Sequence, residues 1–307
     1  MNIKYMSIVM ILWSLFILSS PLVYADGETD NEVVIHKVLG EEGMNIISSS
    51  ENETITRAEM VDILTQFTQI GNDKIYSLFL YSNMDSSIIY FSDWMQDENK
   101  APYISRLICS GIIEGCGEDR FEPDRECTYI EMLTFIVRSL GWKIVAENSY
   151  TYGTYPDGDI KVAYDLQIIE ETKELEEIKI RKEMEKILFK SLFVETLKRD
   201  MYFHNTYSYV SQPCALEQYF QSKYVIGYAE KKEDNIVIED VKYSGNVIND
   251  PEFERGNVLC IYQENEKTGT NEIKVCIALE EECYAYFSNL LETLSEVDMK
   301  SIMSQKS

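Results

Sequence analysis

The sequence predicts an α+β protein, in which three helical repeats form a pseudo-threefold unit and a small β-rich domain with a C-terminal helix follows. A Glu-Met pair opens an apolar helical stretch three times, at 59–60, 131–132 and 183–184. Such internal repetition is typical of stacked repeat units. From about residue 201, the sequence predicts a short helix at 215–223 and a last helix at 283–294. Between them, apolar residues fall in short runs separated by Gly and Asn turn signals, at 224–229, 235–241, 257–263 and 272–279. Runs of this kind are typical of β-strands.

The first 25 residues have the features of a secretory signal peptide. Lys4 supplies the positive start, residues 8–18 form an apolar core of the usual length, and Val23-Tyr24-Ala25 precedes the expected cleavage site. An uncleaved anchor is the alternative, although this apolar stretch is shorter than the roughly 20 residues that span a bilayer. We therefore expect an exported chain that begins at Asp26 and has no membrane contact after cleavage.

The charge composition restricts the classes of partner. The 307 residues include 53 acidic and only 28 basic side chains, which gives a formal net charge of −25. Nucleic-acid binding needs a basic face that replaces counterions, and docking on anionic lipid needs the same sign of charge. Both functions are therefore disfavoured, while a hydrophobic content of 45% is sufficient for packed cores.

The three repeats are predicted at about 32–71, 90–142 and 150–194, so that 26–200 forms the repeat region and 201–307 the C-terminal domain. In each repeat an apolar helix ends at a turn, a loop follows, and a polar residue opens a second apolar helix. Apolar residues four and five positions after each Glu of the Glu-Met pairs lie on one helical face. One repeat alone buries too little apolar surface, so stacking must supply the core.

The copies differ at two positions that bear on function. The second helix of the first copy opens with Ile55-Thr56-Arg57-Ala58-Glu59, and Arg181 holds the matching position in the third copy. The second copy has Tyr129 there instead of an arginine. The third copy also has Gln167 before a pair of isoleucines, where the second copy has Gly111.

The second copy carries the densest set of motifs: Phe-Ser-Asp-Trp at 91–94, Gly-Ile-Ile-Glu-Gly at 111–115, Phe-Glu-Pro at 121–123 and Leu-Gly-Trp at 140–142. Together with Ile-Thr-Arg-Ala-Glu at 55–59, this pattern resembles the S-layer homology repeat, a module that anchors secreted bacterial proteins to the cell wall. The strings at 223–227 and 256–258 resemble the small β-domain that follows such repeats in some clostridial-type proteins. The resemblance implies one three-copy unit that binds secondary cell-wall polysaccharide, often pyruvylated, in grooves between repeats.

The resemblance also implies ligand contacts at matching positions. Arg57 and Arg181 offer planar guanidinium groups that bind a carboxylate through two N–H donors. Trp94 offers an aromatic face to a sugar ring, and Asp93 an acceptor to sugar hydroxyls. The predicted polysaccharide-binding residues are Arg57, Glu59, Asp93, Trp94, Arg181 and Glu183. The structural alternatives are surface ion pairs for the arginines, core packing for Trp94, and a helix-capping box for Thr56 with Glu59.

The sequence contains little that indicates catalysis. Its two histidines, His36 and His204, lie outside any hydrolase, zinc-protease or phosphate-loop motif. We expect no enzyme, no cofactor and no metal site. The seven cysteines form no Cys-x-x-Cys pair; a disulfide between Cys116 and Cys127 and buried reduced thiols both stay open.

Two alternative functions remain. Residues 201–307 form either a displayed domain with a protein partner or an enzymatic or regulatory cargo that the repeats carry to the wall. Alternatively, the repeats are degenerate and serve only as a structural or protein-binding module, as Tyr129 in the arginine position suggests.

Overall fold

The computed structural model describes residues 30–48, 53–70, 91–93, 101–117, 119–148, 152–170, 180–203, 206–298 and 302–303. The predicted signal peptide, the loop at 71–90, Trp94 and His204 lie outside the described residues. From Asn31 onward the chain belongs to one compact unit. The predicted α+β class is confirmed. The three predicted repeats are called segments 1, 2 and 3 below.

Helices of the three segments meet in one apolar core. In the second helix of segment 1, Met60, Leu64 and Phe67 recur at helical spacing and are fully buried. Leu107 of segment 2 and Leu188 of segment 3 belong to the same core. The described helices before the first strand are α1 Asp30–Leu39, α2 Arg57–Thr68, α3 Ala101–Cys109, α4 Tyr129–Ser139, α5 Lys143–Ala146, α6 Asp157–Asp165 and α7 Ile180–Leu192.

A residue with a left-handed backbone follows the first helix of every segment. Asn45, Gly111 and Gln167 all have left-handed backbones, with φ of 53°, 68° and 58°. A buried pair of isoleucines comes directly after each of them, at 46–47, 112–113 and 168–169. Gln167 therefore holds the conformation that Gly adopts most easily, and segment 3 forms its left-handed turn without a glycine.

A two-stranded antiparallel hairpin and a short helix follow the segments. They are β1 Glu195–Phe203, β2 Thr206–Cys214 and α8 Ala215–Phe220. The helix agrees with the sequence prediction, whereas the hairpin was not predicted from the sequence.

The start of β1 packs against the Leu-Gly-Trp string at 140–142 of segment 2. Gly141 has φ of +86°, and a Cβ there would collide with the carbonyl oxygen of Leu197. The Leu197 N–H donates to the Leu140 carbonyl over 2.9 Å, and the Trp142 indole N–H donates to the Glu195 carbonyl over 3.1 Å. The glycine is needed because a backbone passes directly against it.

The C-terminal strands close into a barrel in the order β3-β4-β5-β7-β6. Neighbours are antiparallel except β5 and β7, which are parallel. The run at 235–241, predicted as one strand, is divided because Glu239 and Asp240 both have positive φ and form a tight hairpin turn. The barrel strands are β3 Lys223–Lys232, β4 Asn235–Ile238, β5 Val241–Ser244, β6 Arg255–Asn265 and β7 Thr270–Leu279.

A last helix, α9 Glu281–Ser295, connects the barrel to the helical core. Phe287 on this helix packs against Phe189 of α7, with ring centroids 5.3 Å apart. Leu259 and Ile277 of the barrel belong to the same core cluster. The other faces of their strands enclose a separate core inside the barrel, which includes Val258.

Candidate binding site at the segment boundaries

Arg57 joins segment 1 to segment 2 and is itself buried. Its Nε donates to the Phe121 carbonyl over 2.7 Å, and its Nη2 donates to the Glu114 carbonyl over 3.0 Å. Its Nη1 lies 2.5 Å from Oε1 of Glu131. The side chain is only 2% exposed, so its donors serve the protein interior.

Arg181 makes the corresponding contact between segments 3 and 1. Its Nη2 donates to the Thr54 carbonyl and to Oε1 of Glu59, each over 3.2 Å. The Arg181 side chain is 9% exposed, and that of Glu59 is 42% exposed. The pair therefore sits at the surface end of its boundary, unlike the pair of Arg57 with Glu131.

The third boundary has a phenol in the arginine position. Burial, together with the negative charge of Glu183, raises the pKa of the Tyr129 hydroxyl to about 12. The charge of the Glu-Met glutamate of segment 3 thus acts on Tyr129 of segment 2. The three interactions follow a cyclic order: segment 1 contacts segment 2, segment 3 contacts segment 1, and segment 2 interacts electrostatically with segment 3.

Both Glu59 and Glu131 also cap their own helices. The Thr56 and Thr128 hydroxyls accept from the N–H groups of Glu59 and Glu131, and each glutamate accepts in return from the threonine N–H. The capping alternative is therefore compatible with the ion pairs, because one carboxylate oxygen caps the helix while the other meets an arginine.

A groove of about 650 Å³ opens beside the pair of Arg181 and Glu59. Gln66 and Gln69 contribute amides and Tyr103 an aromatic ring that is 38% exposed. The polar and aromatic lining residues are Asn45, Ser48, Glu59, Asp62, Thr65, Gln66, Gln69, Tyr103 and Arg181. The groove thus combines hydrogen-bond donors and acceptors with one aromatic face.

Asp93 organises the loop of segment 2. One carboxylate oxygen accepts from the Phe121 N–H and the other from the Glu122 N–H, each over 2.8 Å. Desolvation of the carboxylate raises the pKa of Asp93, but the two backbone donors lower it by more. The net pKa therefore lies below its ordinary value. Trp94, its predicted partner in sugar binding, lies outside the described residues.

Arg125 is a cation that sequence reasoning missed. Its Nη2 and Nη1 contact the two carboxylate oxygens of Glu131 at 2.6 and 3.1 Å, and its Nε contacts Glu122 at 2.8 Å. The side chain is 37% exposed. The sequence feature that could have pointed to Arg125 is its position, four residues before Tyr129 in the loop that precedes the helix cap.

A second charged cluster lies between α4 and α6. Asp159 is 1% exposed, and its Oδ1 lies 3.6 Å from Nε of Arg138. Burial raises the pKa of Asp159 to about 6, although the charge of Arg138 opposes the shift. Arg138 also pairs with Glu114 at 2.9 Å and with Glu147 at 3.6 Å.

Of the two alternatives left open for Cys116 and Cys127, the structure has the free thiols. Cys116 is exposed and its sulfur lies 3.4 Å from Nη2 of Arg125, whereas Cys127 is buried. All seven cysteines are free thiols.

No described helix combines the length and the apolar character that crossing a membrane requires. No group of three or more His, Cys, Asp or Glu side chains among the described residues is arranged to hold a metal ion.

The comparisons identify one region of the chain. No curated protein matches the sequence. The family model of the S-layer homology domain matches residues 90–133, which lie within segment 2. Asp93, Arg125 and Glu131 fall in the matched region. The chain therefore contains an S-layer homology domain, a binding module that points to the cell surface or cell wall and to cell-wall anchoring.

Proposed function

We propose that this is an exported, non-enzymatic protein that is held on the cell wall, without covalent bonding, by binding secondary cell-wall polysaccharide. The observation that carries the proposal is the groove beside Arg181 and Glu59 in a chain with an S-layer homology domain. Both residues occupy the positions at which the sequence resemblance implies ligand contact. The C-terminal barrel is then the part that the wall-bound protein displays.

The proposal includes three repeats in a pseudo-threefold unit. Two features support this arrangement beyond the matched region. The left-handed turn before a buried isoleucine pair occurs in all three segments. The arginines of segments 1 and 3 also pair with the Glu-Met glutamates of segments 2 and 1, and the Glu-Met glutamate of segment 3 acts electrostatically on the tyrosine of segment 2, in cyclic order.

The lining of the groove suits a glycan that carries a carboxylate, such as a pyruvate ketal. The contact between Arg181 and Glu59 is 3.2 Å long, which is at the long end for a hydrogen bond. A ligand carboxylate can take this place on the guanidinium, and such charge-assisted bonds are shorter and stronger than neutral ones. The Gln66 and Gln69 amides can meet hydroxyls, while the Tyr103 ring can cover a sugar face.

The test is co-sedimentation of the exported chain with cell-wall sacculi in three forms: carrying a pyruvylated secondary polymer, carrying the same polymer after removal of pyruvate, and stripped of the polymer. We expect the protein to pellet with the first form, less with the second and not with the third. Equal pelleting with stripped sacculi would overturn specific polysaccharide binding.

Point variants locate the site. Arg181→Ala should lower the pelleted fraction at least tenfold, because it removes the cation that faces the groove. Lys182→Ala is the matched control, since it removes an adjacent positive charge that pairs instead with Glu32 at 3.1 Å. Equal binding by both variants would remove this groove from the proposal.

A second candidate function is a structural or protein-binding module built from degenerate repeats. The observation that favours it is the burial of Arg57, whose donors serve protein acceptors, together with Tyr129 in the next arginine position. Loss of pelleting with all three forms of sacculi would favour this candidate.

A further inference from the structure

Two cysteines face each other inside the barrel. Cys260 on β6 and Cys276 on β7 are directly opposed partners of an antiparallel pair. Both are fully buried and belong to the core cluster that fills the barrel. Directly opposed residues of an antiparallel pair place their side chains on the same face of the sheet.

The register brings these two residues within disulfide range. Opposed residues on antiparallel strands have Cα atoms about 4.5 or 5.5 Å apart, and disulfides join Cα atoms about 4.4–6.8 Å apart. A hydrogen bond to Cys276 and burial both raise the pKa of the Cys260 thiol above its ordinary value.

The other cysteines have different surroundings. Cys116 contacts Arg125 at the surface, and the Cys127 sulfur lies 3.7 Å from the Thr128 carbonyl oxygen. Cys283 lies on α9 and belongs to the helical core rather than to the barrel core. The strand pairing thus selects one pair out of seven thiols, which counting cysteines in the sequence could not do.

We propose that Cys260 and Cys276 form a disulfide that joins β6 to β7 inside the barrel once the chain has left the reducing cytoplasm. The oxidant is a disulfide of low molecular weight or of an exchange enzyme. One cysteine thiolate attacks this disulfide and releases one thiol, and the second cysteine then attacks the mixed disulfide and releases the other thiol. Two protein thiols are oxidised while the reagent is reduced to two thiols.

The exchange takes place while the hairpin is open. In the folded barrel both sulfurs are buried, and thiolates rather than neutral thiols are the nucleophiles. The bond therefore forms during folding outside the cytoplasm and is then enclosed, where reductants have little access. The inference rests on the proposed export but not on polysaccharide binding.

The test is refolding of the full chain from its reduced, unfolded state with oxidised and reduced glutathione. Free thiols are then alkylated, and the protein is digested without reduction for mass spectrometry. We expect a cross-linked peptide that joins Cys260 to Cys276, lighter by two hydrogen atoms than the sum of its parts. The melting temperature should exceed that of protein refolded with a reductant by roughly 5–10 °C.

Two sets of variants distinguish the effect of the disulfide on the melting temperature from the effect of side-chain packing. With both Cys260→Ala and Cys276→Ala present, the melting temperature should not depend on the oxidant, whatever the loss of packing. Cys116→Ser is the matched control and should keep the full dependence. Recovery of both barrel cysteines as alkylated thiols after oxidative refolding, or their linkage to other cysteines, would overturn the proposal.

Discussion

Arg57 and Arg181 occupy the same position of two segments and make the same contact, yet their surroundings differ. Arg57 reaches Glu131 in the interior, where the glutamate is 15% exposed. Arg181 reaches Glu59 at the edge of a groove, where the glutamate is 42% exposed. The same motif thus lies in a closed interior at one boundary and beside an open groove at another, and solvent access to the glutamate is the difference.

The two pairs differ in solvent access because protein backbone covers one of them and an open groove adjoins the other. At the first boundary, the carbonyls of Glu114 and Phe121 take the remaining donors of Arg57, and the Phe121 ring lies 4.2 Å from the guanidinium. At the other boundary, the groove opens beside Arg181. A buried ion must be fully compensated by the protein, whereas solvent also reaches Glu59 at the groove edge.

The largest expected effect is that of Arg57→Ala. Removing the arginine leaves two buried backbone carbonyls, of Glu114 and Phe121, without their donor, while Arg125 still compensates Glu131. Because unsatisfied buried groups are costly, we expect a loss of about 3–5 kcal/mol in the free energy of unfolding. Denaturant titration followed by circular dichroism measures this loss. A change below about 1 kcal/mol would mean that the buried pair contributes little to stability. Burial would then not distinguish the role of Arg57 from that of Arg181.

The glutamates provide a matched pair of smaller changes. Glu131→Gln should destabilise by about 2 kcal/mol, because it removes the charge between Arg57 and Arg125, whereas Glu59→Gln should cost less than about 1 kcal/mol at its exposed position. Although burial raises the pKa of Glu131, Arg125, the Thr128 backbone and Arg57 together hold it below its ordinary value.

Because the folded pKa of Glu131 is depressed, its stabilising contribution is present above the unfolded pKa and is lost as the pH falls through the folded value. The difference in unfolding free energy between wild type and Glu131→Gln should therefore shrink on acidification. Equal effects of the two Gln variants at neutral pH would contradict the contrast between buried and groove-edge pairs.

The boundary between segments 2 and 3 lacks the motif arginine and holds Asp159 instead. Its pKa of about 6 lies above the ordinary value, so its contribution to stability is greatest at acidic pH and is lost as the pH rises through about 6. Asp159→Asn should raise stability by about 1 kcal/mol at pH 7 and have little effect near pH 4, since Glu114 and Glu147 still compensate Arg138. Destabilisation at pH 7 would show that Arg138 depends on this carboxylate.

The sequence predicted what depends on local pattern. Helix starts at Thr56 and Thr128, the three turns before isoleucine pairs and most barrel strands follow from caps, spacing and alternation. Solvent access at Arg57 was not predictable, because it depends on a loop from another segment that closes over the side chain. The pairing of Cys260 with Cys276 likewise depends on strand register, which the bulge between Ile261 and Tyr262 shifts.

The smallest expected effect concerns the turn that all segments share. Gln167 has φ of 58°, a region that costs a residue with a Cβ more than it costs glycine. Gln167→Gly should therefore stabilise by about 0.5–1 kcal/mol, even though glycine loses more chain entropy on folding. Asn45→Gly is the matched change and should gain less, since Asn tolerates the left-handed region better. Thermal melting of both variants measures the difference. A loss of stability in Gln167→Gly would mean that the glutamine side chain stabilises segment 3 by contacts that outweigh the backbone strain, and that the third copy has diverged in more than its glycine.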